Sequence, residues 1–137
     1  MKTSTVSQLS SLPASGINQT DQAQVDFEST SAAFLYAWKQ GVALAGPTYF
    51  GDCTKNSVEN AKCRWDLRPD LLMINHSFHV LSTNERIFLA AMVSFYDTYE
   101  GSALFKHVGF LGFANLGPLD QARRDVIASL IMHFHSW

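Results

Sequence analysis

The 137 residues suit one domain, and 47% apolar with 16% charged residues is a globular rather than a disordered composition. A formal net charge of −2 gives no basic excess with which to grip phosphate, so nucleic acid is disfavoured as a partner. No apolar run reaches the roughly 18 residues of a membrane span, and the opening MKTSTVSQLSSLPASG lacks the apolar core of a secretory signal, so the expected setting is cytoplasmic, away from membranes.

Residues 1–24 are rich in Ser, Thr, Gln and Asn and offer little to bury, which predicts a flexible, disordered polar tail ahead of a single α-helical domain over 25–137. A first helix is expected over 26–45, where Phe27, Phe34, Trp38 and Val42 recur at helical spacing with Leu35 beside them. Gly46-Pro47 should end it, since proline cannot continue a helix and glycine suits the position after the last turn.

The connection 46–67, GPTYFGDCTKNSVENAKCRWDL, is long enough to carry either function or a short element of its own. Within it SVENAKCRW reads as one or two helical turns capped by Ser57. Tyr49, Phe50 and Trp65 are anchors, either to the core or to a partner. CRWDLRPD places Arg64, Trp65 and Arg68 together, and aromatics with arginine are the residue types that anchor interfaces. The structural alternative is that Trp65 packs inward and the arginines pair with Asp66 and Asp70. Cys53 and Cys63 bracket a polar loop that a disulfide would close in an oxidising compartment; without a signal sequence two free thiols are the default.

A second helix is expected over 69–81, with Pro69 in its first turn and Leu71, Ile74, Phe78 and Leu81 as its stripe. Ser82-Thr83-Asn84-Glu85 then matches a capping box, so a third helix, about 83–97, follows with almost no linker. RIFLAAMVSFY is apolar nearly all round, which marks a central, buried helix, and Ala90, Ala91 and Ser94 allow close neighbours. GSALFKHVGFLGFANLG predicts short helices near 102–107 and 110–115, broken at glycines. Asp120 should cap a last helix over 121–135, with Val126, Ile127, Leu130, Ile131, Phe134 and Trp137 as its buried stripe. The fold class is therefore all-α: a compact bundle of four to five main helices.

His76 and His79 share a flank of the second helix and are the candidate metal pair. A zinc site needs three or four ligands, however, and the third would have to come from Glu85, Asp97, His107 or His133. His133 and His135 point apart on a helix. No H-E-x-x-H, P-loop, G-x-G-x-x-G or G-x-S-x-G motif is present, so no cofactor and no catalytic residue is assigned. The reading is a non-enzymatic accessory, adaptor or inhibitor protein that binds another protein, with scope for self-association. The alternatives are a small metal- or thiol-dependent enzyme and a helical DNA-binding regulator presenting Gln121, Arg123 and Arg124.

Overall fold

The computed structural model describes residues 19–135, the side chains of 19 and 25–29 excepted. Six α-helices and four short 3₁₀ segments make up the described fold, with no strand among these residues beyond one isolated bridge. The class is all-α, as the periodicities predict.

Helix α1, Gln19–Ala45, begins earlier than expected: residues 19–24 are helical, while 1–18, the rest of the expected tail, lie outside the described residues. Its buried residues Phe34, Ala37, Trp38, Gly41 and Val42 follow i, i+3, i+4, i+7, i+8 spacing, a single inward face. The helix ends as predicted at Gly46, whose N–H donates to the Val42 carbonyl at 2.8 Å and whose φ of 121° only glycine tolerates without strain.

The long connection is closed on itself. Gly51 N–H donates to the Arg68 carbonyl at 2.9 Å and Asp70 N–H to the Tyr49 carbonyl at 2.8 Å, pairing Phe50 with Pro69. Inside this ring lie 3₁₀ turns at Pro47–Tyr49 and Arg64–Leu67 and the short helix α2, Lys55–Asn60. Thr54, not Ser57, caps α2: the Thr54 hydroxyl accepts from Ser57 N–H, and the Ser57 hydroxyl donates back to the Thr54 carbonyl. Both residues satisfy the capping chemistry; the helix starts one turn earlier than the sequence suggested. Buried Trp38 fastens the ring to α1 by donating from Nε1 to the Leu67 carbonyl at 2.9 Å, with Phe50 edge-on to its indole.

Helix α3, Leu71–Ser77, is shorter than predicted. Asp70 is its cap, accepting from Met73 N–H, so Pro69 stands outside the helix in the bridge to Phe50. A 3₁₀ turn, Phe78–Val80, completes the segment. The predicted box then starts α4, Thr83–Tyr96: Glu85 N–H donates to the Ser82 hydroxyl and Ser82 N–H to the Glu85 carboxylate. Every residue from Ile87 to Val93 is buried, which makes α4 the centre of the fold.

Asp97 ends α4 and caps α5, Thr98–Val108, accepting from Tyr99 and Glu100 N–H groups, both at 3.0 Å. The two helices meet at Gly101, where a Cβ would stand only 2.4 Å from the Ser94 Cα. After Gly109 the chain makes a 3₁₀ turn, Phe113–Leu116, and enters α6, Gln121–His133, capped by Asp120 as predicted. The two most extensive helix pairings are α4 with α5 and α1 with α6. Arg123 on α6 joins the layers: its guanidinium donates to the Leu44 carbonyl at 3.3 Å, pairs with Asp120 at 2.8 Å and stands over the Phe88 ring.

Candidate functional site

The five aromatic and arginine candidates separate. Phe50 is fully buried against Trp38, so it belongs to the core and not to a contact surface, a correction to the interface reading of this residue. Tyr49 is half-buried and packs on the same core. Arg68 is exposed. Trp65 remains 46% exposed while resting edge-on against Tyr96 at 5.9 Å.

Arg64 works inside an aromatic cluster. Phe34, Phe95 and Phe134 sit within 6.3 Å of one another by ring centroid, and the Arg64 guanidinium stands 5.1 Å from the Phe34 centroid and 5.9 Å from that of Phe134. It also donates to the His135 carbonyl at 3.1 Å. Cation–π attraction and this bond tie the segment after α6 to α1. Asp66 does not serve as a salt-bridge acceptor here; its carboxylate accepts from the N–H groups of Lys62 and Cys63. Those two backbone bonds hold its pKa below the ordinary value, against a small opposing effect of burial. Ser31, Leu35, Lys62, Cys63, Arg64 and Trp65 outline an open recess of about 440 Å³ beside α1.

The cysteines are both free thiols. Cys53 takes a φ of 69°, unusual for a residue with a side chain, and its thiol donates to the Asp70 carboxylate at 3.5 Å. Burial first, then the bond to Asp70 and the Asp70 and Asp52 charges, raise the Cys53 pKa. A raised thiol pKa means less thiolate and a poorer nucleophile.

His76 and His79 are both exposed, and the helix changes from α to 3₁₀ between them, which alters the spacing the pair would need. The residue that joins His79 is His107 on α5: the two border a recess of about 140 Å³ with Asn75 and Phe78, and His107 lies edge-on to Phe78 at 5.6 Å. Among the described residues no group of three or more His, Cys, Asp or Glu side chains is placed to hold a metal ion. The arginines of the helix–turn–helix alternative both bond within the fold, Arg123 half-buried and Arg124 exposed. Arg123 is committed to Asp120, Leu44 and Phe88, and Arg124 donates from Nε to the Leu119 carbonyl at 3.1 Å and from Nη2 to the Gly117 carbonyl.

A feature the sequence reading missed lies on the other side of α6. Val126, Ile127 and Leu130 are buried, but Ile131, placed in the same stripe, is 58% exposed, and Phe134 is also partly exposed. Helix α6 thus carries exposed apolar side chains, Ile131 and Met132, outside its buried face. It faces the 3₁₀ turn Phe113–Leu116 across a groove of about 360 Å³, floored by Leu119 and Ile127 and walled by Phe113 and Ile131. Phe113 is 84% exposed, and nearby in sequence Leu111 and Met132 are 93% and 76% exposed. The signal was present as a cluster of large apolar residues between glycines, but periodicity assigns such residues to the core by default.

No family model, no curated protein and no solved structure matches this chain. No helix among the described residues is long and apolar enough to cross a membrane.

Proposed function

We propose that this protein is a non-enzymatic accessory, adaptor or inhibitor protein that acts by binding another protein. The observation that carries this reading is the apolar face between the Phe113–Leu116 turn and α6, where Phe113 and Ile131 stand in solvent on either side of a groove. Single exposed apolar residues are ordinary on a protein surface; a pair facing each other across an apolar concavity is a candidate interaction site. Covering a fully exposed Phe or Ile is worth about 1.5–3 kcal/mol; Phe113 at 84% and Ile131 at 58% exposure supply correspondingly less, still a useful part of a binding free energy. Trp65, half-exposed on Tyr96, offers a smaller second anchor of a residue type common at interfaces.

The test is a quantitative comparison of proteins cross-linked in cells by the wild type, by Phe113→Asp/Ile131→Asp and by Trp65→Ala. A specific partner lost from the first variant, with the helical circular dichroism intact, supports the reading. An unchanged partner profile in both variants removes it. Sedimentation of the purified protein separates self-association through the same face from binding to a different chain.

A further inference from the structure

The geometry points to a particular occupant for the α6 groove: an amphipathic helix of a partner protein that carries an acidic residue beside its apolar stripe. This rests on the protein-binding reading above and specifies it. Three observations combine.

The first is shape. The α6 side of the groove is built from Arg124, Ala128 and Ile131, spaced i, i+4, i+7, one ridge of a helix surface. The opposite side contributes Phe113, Ala114 and Gly117. Phe113 and Ile131 stand exposed on the two sides, buried Leu119 and Ile127 lie between them, and Ala114, Gly117 and Ala128 add little bulk to the lining. A groove with an apolar floor, exposed apolar sides and small residues that leave room receives a ridge of side chains at helical spacing.

The second is charge. Among the described residues lining the groove, Arg124 is the only charged one and none is a carboxylate. Its guanidinium is held by the carbonyls of Leu119 and Gly117 through Nε and Nη2, and among the described residues Nη1 has no hydrogen-bond partner. A cation held by backbone and left with donor capacity is prepared for a carboxylate, with little side-chain entropy still to lose.

The third is what this charge disfavours. A second copy laid groove on groove would bring the same cation and no acid to the contact. The chain's own residues 1–18 contain no Asp or Glu with which to meet Arg124. An acidic amphipathic helix from another protein satisfies both the shape and the charge.

The experiment is a surface-display selection with a library of helix-forming peptides, apolar at i, i+4 and i+7 and randomised in charge between, against the full chain. Expected is enrichment of peptides with Asp or Glu at one edge of the stripe. Binding of the enriched peptides should fall about tenfold or more with Ile131→Asp and about fivefold with Arg124→Glu. A peptide with its acid changed to Arg should recover binding on Arg124→Glu. Both positions are exposed, and thermal melts confirm that each variant is folded. Enriched peptides that are basic or indifferent to charge, or that bind Ile131→Asp as well as wild type, overturn the inference. If the peptides respond instead to Trp65→Ala, the groove falls while the protein-binding reading stands. If sedimentation shows a dimer abolished by Ile131→Asp, the occupant is a second copy and the acidic-helix inference is wrong. Failure of the whole protein-binding reading shows separately, as an unchanged cross-linked profile in cells.

Discussion

Replacing Gly101 with Ala sets two well-measured effects against each other. Helix propensity alone favours alanine by about 1 kcal/mol within a helix such as α5. Packing opposes it, because the new methyl would sit 2.4 Å from the Ser94 Cα, 2.6 Å from its Cβ and 2.7 Å from its backbone nitrogen. Ordinary contact begins near 3.4 Å, so α5 must move from α4 by about 1 Å. The atoms in the way are backbone of the central helix, which cannot rotate aside as a side chain would. Overpacking a well-filled site costs about 1–3 kcal/mol, and a backbone clash belongs at or above the upper end. The net expectation is a loss of about 2 kcal/mol, or a melting temperature lower by about 8 °C for a domain of this size. Urea unfolding followed by circular dichroism measures it. Ser94→Gly in the same chain should not restore stability, since it removes only one of the three close atoms. A Gly101→Ala variant as stable as the wild type, or more so, would refute the close approach of α4 and α5.

The remaining expectations concern single bonds and charges. Trp38→Phe should cost about 2–3 kcal/mol, because it leaves the buried Leu67 carbonyl without its donor and opens a small void; a change below about 0.5 kcal/mol in urea unfolding counts against the clamp. Arg64→Ala should cost about 1–2 kcal/mol by removing the cation from Phe34 and Phe134, and Arg64→Lys should recover only part, so full recovery by lysine argues against a planar stacked role. The Glu85 carboxyl is held below its ordinary pKa, first by the Ser82 N–H, then by the Ser82 hydroxyl, with a smaller contribution from the Arg123 charge. A depressed carboxyl contributes stability that is complete above its unfolded pKa and is lost as pH falls through its folded value. Glu85→Gln should therefore flatten the acid limb of a stability-against-pH curve, and an unaltered limb would contradict the box. Finally, iodoacetamide at pH 8 should modify exposed Cys63 about tenfold faster than Cys53, whose pKa is raised and whose thiol is bonded to Asp70; comparison of the single Cys→Ser variants by mass spectrometry decides it.

Where one local rule governs, the sequence reads well. Ser82 and Glu85 form the expected box, Asp120 caps α6, Gly46 ends α1, and the apolar run Ile87–Val93 is the buried centre. Where two rules compete, it reads less well. Pro69 suits a first helical turn, but pairing of Phe50 with Pro69 draws it into a bridge, and Asp70 takes over as cap. Ser57 and Thr54 are equivalent caps by chemistry, and in the fold Thr54 takes the cap while Ser57 bonds back to its carbonyl. The candidate surface is the least legible part. Ile131 and Leu130 are adjacent in sequence and similar in hydropathy, yet one stands at a groove rim and the other in the core. Which side of α6 meets α1 depends on contacts between residues far apart in sequence, such as Phe34 with Phe134 just after α6, and no spacing within α6 encodes that.

The pairing of α1 with α6 also bears on synthesis. During translation the corner of α4 and α5 has both its partners in hand as soon as Val108 has emerged. Trp38 on the inward face of α1 is met early by Phe50 and Leu67, but the part of that face that pairs with α6, and Phe34 with Phe134, waits for the end of the chain. Until then a nascent chain presents that part uncovered, a surface that chaperones hold and that other nascent chains can aggregate upon. A chain terminated near Asp120 would thus leave the ribosome without α6 and with the α1 face that pairs with it open.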